Sequence, residues 1–261
     1  MKNKNNTNFK PTVLFTENSI NKVVSYRFAK GSNLPICSVD KFNDFSKPIA
    51  AYGYKRGTGI AIRKSNDFWY IDHGYFKQSS REFVENKSII RDFDGYFRIV
   101  HNNFWHDGEG SYKDDRLKKL NLNFKEQKRN GEYIIISEPT SDAIEYYDLK
   151  NWTQNTINQI QKFTDRKIIV HNRNSKVPLL KLLQNAWAFI SDHSSAAFLS
   201  IQEGVPAYFT NTTLKKIGSI DQIEKGNINY TILNNLAYGQ WNMNEIDSGE
   251  AWEFLSKTIY K

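Results

Sequence analysis

Seven consecutive residues, Ser191-Asp192-His193-Ser194-Ser195-Ala196-Ala197, have the types that hold an anion at the start of a helix. The apolar run Trp187-Ala188-Phe189-Ile190 ahead of them reads as a strand. The run from Ser195 to Glu203 reads as a helix, with Gly204 at its end. Helix N-termini leave backbone N–H groups unpaired and carry partial positive charge, so phosphate oxygens settle there. Small side chains such as Ser194, Ser195 and Ala196 let such a group approach the backbone. Ser194 would serve equally well as a plain helix cap.

Other groups suited to chemistry fall at the ends of apolar runs. His171 and Arg173 follow Lys167-Ile168-Ile169-Val170, and Arg173 is suited to neutralising a leaving phosphate. Ser137 and Glu138 follow Tyr133-Ile134-Ile135-Ile136, where contacts to a sugar or phosphate compete with a turn and a helix cap. Asp72 and His73 end the run from Phe68, and a carboxylate or imidazole there has the right chemistry to deprotonate a hydroxyl. The same pair also suits a simple capped turn. Lys55-Arg56-Gly57-Thr58-Gly59 is either a phosphate cradle or a solvated basic turn, and it lacks the full spacing of a P-loop. Arg98, His101 and Asn102 close the run Tyr96–His101 and would line the wall opposite. His101, His106 and Asp107 fit no metal-ligand spacing, so no metal is expected.

The elements that must position these groups alternate. In the second half, strands at 133–137, 167–171, 187–191 and 206–210 are separated by helices at 153–163, 178–184 and 195–203. Continuous apolar strands separated by helices imply a parallel sheet covered on both faces. In the first half, strands are expected at 12–16, 35–39, 48–53, 68–76 and 96–101, with a helix over 20–29 that Gly31 stops. Residues 1–11 are Lys/Asn-rich and read as a disordered arm. The charged stretch 114–131 reads as a linker. The division expected is therefore 12–125 for a first lobe, 126–215 for a second, and 216–261 for an extension whose helix, 249–260, packs back on the first.

Bulk properties set the outer limits. The chain has 261 residues, 39% of them hydrophobic, with 17 Phe, 14 Tyr and 6 Trp, enough for a packed core. The single Cys37 excludes an internal disulfide and a Cys-based metal site. There is no apolar leader and no apolar run near the roughly 18 residues that span a bilayer. A cytoplasmic protein without membrane insertion is expected. Net charge is +8. Residues 1–130 hold 24 Lys+Arg against 14 Asp+Glu, and residues 131–261 hold 12 against 14. The excess in the first half suits an anionic partner, nucleic acid or acidic glycan, or a Lys-rich solvated surface. Trp105 and Tyr112 among those cations suit base stacking or ordinary packing.

The order of these segments resembles a family. His171-Asn172-Arg173-Asn174, then Pro178 to Ala186, then Ala188 to Pro206 with its Ser191-x-x-Ser194-Ser195-Ala196 core, is similar to the donor half of GT-B glycosyltransferases. Capsule-type enzymes and their phage-borne relatives are the members it resembles. Trp69–Phe76 with Tyr96–Ile99, and Leu236–Trp241 with Glu245–Trp252, resemble segments of uncharacterised phage-borne members. The resemblance implies an α/β fold of two Rossmann-like lobes with parallel sheets and a cleft between them. It implies an enzyme moving a sugar from a nucleotide-diphosphate sugar to a hydroxyl, with that co-substrate and no cofactor or metal. Ser137, Glu138, His171, Arg173, His193, Ser194, Ser195 and Ala196 would hold the donor. Asp72 or His73 would be the base, and Lys55, Arg56, Arg98, His101 and Asn102 would hold the acceptor. The family's ribose-binding Glu falls here at Leu199, with Glu203 one turn later as its substitute. The acceptor implied is hydroxymethylated bases of phage DNA, in a host cytoplasm. The alternatives are a capsular or cell-surface polysaccharide acceptor, or a non-catalytic nucleic-acid-binding protein on the same fold.

Overall fold

The computed structural model describes residues 10–79, 81–83, 89–91, 93–128 and 130–259. The arm expected over 1–11 lies, through residue 9, outside the described residues, and Pro11 is already buried. The chain forms two compact units. One comprises the residues up to Phe104 and again from Gly239, and the other runs from Trp105 to Tyr238. The division falls at 104/105 and 238/239, where the sequence reading placed boundaries at 125/126 and 215/216. The stretch 114–131 belongs wholly to the second unit.

The first unit begins with β1 (Thr12–Phe15), α1 (Ser19–Ser32), β2 (Ile36–Ser38), β3 (Ile49–Tyr52), α2 (Thr58–Lys64), β4 (Phe68–His73), β5 (Arg81–Phe83), β6 (Ile89–Arg91) and β7 (Tyr96–His101). The second holds α3 (Asp115–Lys119), β8 (Tyr133–Ser137), α4 (Ser141–Tyr146), α5 (Trp152–Ile160), β9 (Lys167–His171), α6 (Leu179–Leu183), β10 (Ala186–Ser191), α7 (Ala196–Gln202), β11 (Ala207–Phe209) and α8 (Thr231–Tyr238). The chain then returns to the first unit with β12 (Gln240–Asn242), α9 (Met243–Asp247) and α10 (Glu250–Ile259).

The first unit's six-stranded sheet has the order β12-β7-β4-β3-β1-β2. Its β1, β2, β3 and β4 are parallel, whereas β7 is antiparallel to β4 and β12 antiparallel to β7. Alternate residues serve opposite faces, as the pleat dictates. Val13, Ala50, Tyr52, Trp69 and Ile71 face a cluster with Val24 and Phe28 of α1 and Ile246, Ala251 and Leu255 of the returning helices. Leu14, Ile49, Ala51 and Tyr70 face Ala61 and Ile62 of α2. Both faces are covered, which explains why these strands read as unbroken apolar runs.

The second unit's four strands are all parallel, in the order β11-β10-β8-β9. Ile134, Ile136, Ala188, Ile190 and Tyr208 pack on Trp152 and Ile160 of α5. β9 and β11 are the edge strands, and Val170 on β9 is exposed.

Helix α1 runs past its expected stop. Gly31 stays helical, and the turn to left-handed backbone comes at Asn33 (φ 52°, ψ 45°), whose N–H bonds the carbonyls of Ala29 and Lys30. Asn tolerates that conformation better than most residues. Gly31 answers a different need: a Cβ there would collide with the carbonyl oxygens of Ile246 and Asp247.

Candidate functional site

In the second unit the registers align four strand ends. Ser137 pairs with His171 on one side and Ser191 on the other, and Ser191 pairs with Phe209. Residues following these strands therefore share the carboxyl edge of one parallel sheet, where ligands of open α/β folds bind. Ser137, Glu138, His171, Arg173, His193, Ser194, Ser195 and Ala196 all fall on that edge.

Their surroundings separate them by role. Glu138 is committed internally: its N–H donates to His171 O at 2.9 Å, and its carboxylate accepts from Asn172 Nδ2 at 3.0 Å and Thr153 Oγ1 at 3.1 Å. It ties the ends of β8 and β9 to α5. His171 Nε2 lies 3.2 Å from Val177 O, closing the loop after β9. That loop is fixed by Asn172 N–H on Ser175 Oγ and Asn174 N–H on Asn172 Oδ1. Arg173 projects from it, exposed and without an ion-pair partner among the described residues.

The Ser191–Ala197 turn spends three of its own donors, one of them Ala197 N–H on Ser194 O at 3.0 Å. Ser191 Oγ accepts from Ser194 N–H at 2.7 Å, and Ser194 Oγ accepts from Ala196 N–H at 3.2 Å. Ser195, with φ −60° and ψ −21°, is exposed and leads into α7. Its N–H has no hydrogen-bond partner among the described residues. Glu203 stands apart from this edge. It follows the C-terminal end of α7 and is bound to Lys125 Nζ at 2.5 Å. Seven helical residues place about 10 Å between it and the turn.

Asp192 and His193 are the most constrained pair. Asp192 is 6% exposed. Its Oδ2 lies 2.7 Å from His193 Nδ1, and its Oδ1 accepts from Thr210 Oγ1 at 2.7 Å. Thr210 Oγ1 in turn accepts from Trp152 Nε1 at 2.7 Å. The His193 ring lies 4.8 Å from both the Trp105 and Tyr147 rings. The sequence reading gave Thr210, Trp152 and Tyr147 no part in the site, included Asp192 only as a member of the anion-holding turn, and offered Trp105 only for base stacking or ordinary packing. Thr210 was within reach, since it follows a strand that the pattern located. Trp105 and Tyr147 carry no local signal, because long connections bring them to His193.

The first unit gathers a second set. His73 ends β4, with Nε2 at 3.2 Å from Tyr52 Oη and Nδ1 at 3.3 Å from Ser79 Oγ. Its ring stacks on Phe97 at 5.9 Å. Asp72 accepts from Tyr70 Oη at 2.7 Å, from Arg98 Nη2 at 3.1 Å and from the N–H of His73 at 2.8 Å. Burial pushes the Asp72 carboxyl up, but Arg98, His73 and the Tyr70 hydroxyl more than offset it and hold it below its ordinary value. That makes Asp72 a poor proton acceptor. Lys55 and Arg56 lie in the turn after β3, both exposed, with Arg56 at φ 57° and Thr58 Oγ1 capping back on Lys55 O at 2.7 Å.

Arg98, His101 and Asn102, expected to hold the acceptor, make bonds within the first unit. Arg98 is 8% exposed and clamps the fold, donating to Phe104 O at 2.9 Å and to His73 O and Asp72. Because β7 is antiparallel to β4, its end at His101 lies opposite Trp69, at the amino end of β4. There His101 Nε2 meets Asp67 at 2.6 Å, and Asn102 Oδ1 accepts from the N–H of Phe68 at 2.8 Å. Only a parallel β7 would have put these residues beside His73.

No family model and no curated protein matches the chain. Among solved structures, the fold is similar to Thermosulfurimonas dismutans KpsC, beta Kdo 2,4 transferase, with a TM-score of 0.52 and 12% identity, covering 89% of this chain and 91% of that one. It is also similar to Thermosulfurimonas dismutans KpsC, beta Kdo 2,7 transferase, with a TM-score of 0.50 and 8% identity, covering 94% of this chain and all of that one. At such identities the likeness is one of fold. The chain is an α/β protein of Rossmann-like construction, sharing its fold with these transferases.

Proposed function

We propose that the chain is a glycosyltransferase that takes a sugar from a nucleotide-sugar held on the second unit and places it on a saccharide hydroxyl. The observation that carries this reading is the carboxyl edge of the second unit's sheet. It combines an unpaired Arg173, an open Ser195 N–H and an oriented His193 at the positions the GT-B resemblance assigns to the donor. The fold shared with the two KpsC Kdo transferases supports it. Arg173 offsets the charge of the leaving phosphate, which is the main electrostatic demand of glycosyl transfer.

A capsular or cell-surface saccharide is the acceptor this reading favours over DNA. The DNA alternative drew on the positive excess of residues 1–130. Counted by unit, the first holds 19 Lys+Arg against 13 Asp+Glu and the second 17 against 15. The basic segment 113–129 lies in the second unit, and the acidic segment 245–253 lies in the first, so no unit carries the contrast the halves suggested.

The test is mass spectrometry after incubation with a panel of nucleotide-sugars, nucleotide-activated Kdo among them. Oligosaccharides and hydroxymethylated DNA are offered as acceptors. The expected product is an oligosaccharide heavier by one sugar. Transfer to DNA alone would reverse the acceptor, and transfer to neither would remove the reading. With a turned-over donor, Arg173→Ala should lower kcat/KM by about 100-fold, the lower end of the scale for losing one transition-state contact because Arg173 is exposed.

A further inference from the structure

Trp152, Thr210, Asp192 and His193 are joined by three hydrogen bonds of 2.7 Å each, and each bond has one permitted direction. An indole N–H only donates. Thr210 Oγ1 accepts it, so the hydroxyl's single proton is left for Asp192 Oδ1. A carboxylate only accepts, so Asp192 Oδ2 must receive N–H from His193 Nδ1. In the neutral ring the proton then sits on Nδ1 and the lone pair on Nε2, the orienting logic of an acid–base dyad. Trp152 and Asp192 are more than nine-tenths buried, which protects the chain of bonds from water. Trp105 and Tyr147 hold the ring from two further sides, with interplanar angles of 40° and 64°. The His193 side chain is 18% exposed, and its Nε2 has no hydrogen-bond partner among the described residues.

We propose that Trp152, Thr210 and Asp192 are a positioning relay that locks His193 in its Nδ1–H tautomer, so that Nε2 accepts a hydrogen bond from a hydroxyl of a sugar ring bound at this edge. A bare lone pair cannot bond a phosphate, which has only acceptors to offer. It suits a donor group, and the aromatic rings beside it suit the apolar face of a pyranose or furanose. The tautomer stands on the hydrogen bonds alone. The ligand class rests on the nucleotide-sugar reading above. Two sources supply such a hydroxyl: the ribose of the nucleotide, or a hexose- or ulosonate-type ring.

The test is imidazole ¹⁵N NMR of the full chain at a pH where the ring is neutral, with His193 assigned by its loss in His193→Gln. The wild-type spectrum should show Nδ1 protonated and Nε2 bare. In Asp192→Asn, the amide oxygen must still accept from Thr210, which turns its NH₂ toward Nδ1. The ring should then switch to the Nε2–H tautomer. The Nε2 resonance is next followed on titration with ribonucleoside diphosphates, their 2′,3′-dideoxy counterparts and free monosaccharides. A shift with the ribonucleotide but not the dideoxy form assigns the hydroxyl to ribose. A shift with a monosaccharide assigns it to a transferred or accepting sugar. The ligand that shifts Nε2 should bind Asp192→Asn about tenfold more weakly, since the hydrogen bond is lost. An Nε2–H tautomer in the wild type, an unchanged tautomer in Asp192→Asn, or an Nε2 resonance unmoved by every ligand overturns the proposal. Sugar transfer with an unmoved Nε2 would leave the glycosyltransferase reading intact. A shifted Nε2 without transfer would leave only this one.

Discussion

At the scale of single residues, the Asp72–Arg98 pair shows how chemistry-bearing types serve the scaffold. Arg98 spends its donors on Phe104 O, His73 O and Asp72, and its guanidinium also lies over the rings of Tyr70 and Tyr75. Removing the carboxylate would leave a nearly buried cation short of its counter-charge. Asp72→Asn should therefore lower stability at neutral pH by about 1–3 kcal/mol, less than for a fully buried pair because the Asp72 side chain is 20% exposed. The folded Asp72 carboxyl titrates below its unfolded counterpart. Its contribution is therefore complete above the ordinary carboxylate range and is lost as pH falls through the folded value. Urea melts of wild type and Asp72→Asn should diverge at neutral pH and converge in acid. A gap that stays constant with pH would show that the charge is not what the pair supplies.

At the scale of elements, close approach decides more than propensity does. Gly31 sits inside α1, where alanine is intrinsically better by about 1 kcal/mol. Its Cβ would meet the backbone carbonyls of Ile246 and Asp247, which cannot move as a flexible side chain could. Overpacking against backbone costs about 1–3 kcal/mol or more, so the clash should win. Gly31→Ala should lower the urea midpoint with an unchanged m-value, and a raised midpoint would mean that α9 yields freely. The same interplay explains what the sequence could convey. The strands were legible, because burial on both faces leaves plain apolar runs such as Tyr133–Ile136. The direction of β7 was not, since Tyr96–His101 reads alike in parallel and antiparallel pairing. That one orientation separates His101 and Asn102 from His73. Gly31 looked like a helix stop, because a glycine needed for contact and a glycine needed for a turn are the same letter. On the carboxyl edge of the second unit's sheet, strand ends placed Arg173 and His193, but the Trp152–Thr210–Asp192 hydrogen bonds depend on β11 lying beside β10, a choice of strand order that no local pattern records.

At the scale of the whole chain, the two units differ in continuity. The second is one uninterrupted segment, Trp105–Tyr238, with its own four-stranded sheet and core. The first is completed only when the chain returns. β12 pairs with β7, and Trp241, Met243, Ile246, Ala251 and Leu255 of the return are buried in the cluster that Val24 and Phe28 of α1 share. Full burial of a large apolar side chain is worth about 1.5–3 kcal/mol, so losing Trp241, Met243, Ile246 and Leu255 removes about 6–12 kcal/mol, comparable with the roughly 5–15 kcal/mol by which a domain is stable. A fragment of residues 1–104 should therefore fail to fold. The same fragment joined by a short Gly/Ser linker to residues 239–261 should recover a cooperative urea transition and dispersed amide resonances. Residues 105–238 alone should show both without help. If 1–104 folded by itself, the returning segment would be an accessory rather than part of the first core. If 105–238 remained unfolded, its sheet would depend on residues outside its own segment, and its carboxyl edge could not be studied apart from the rest of the chain.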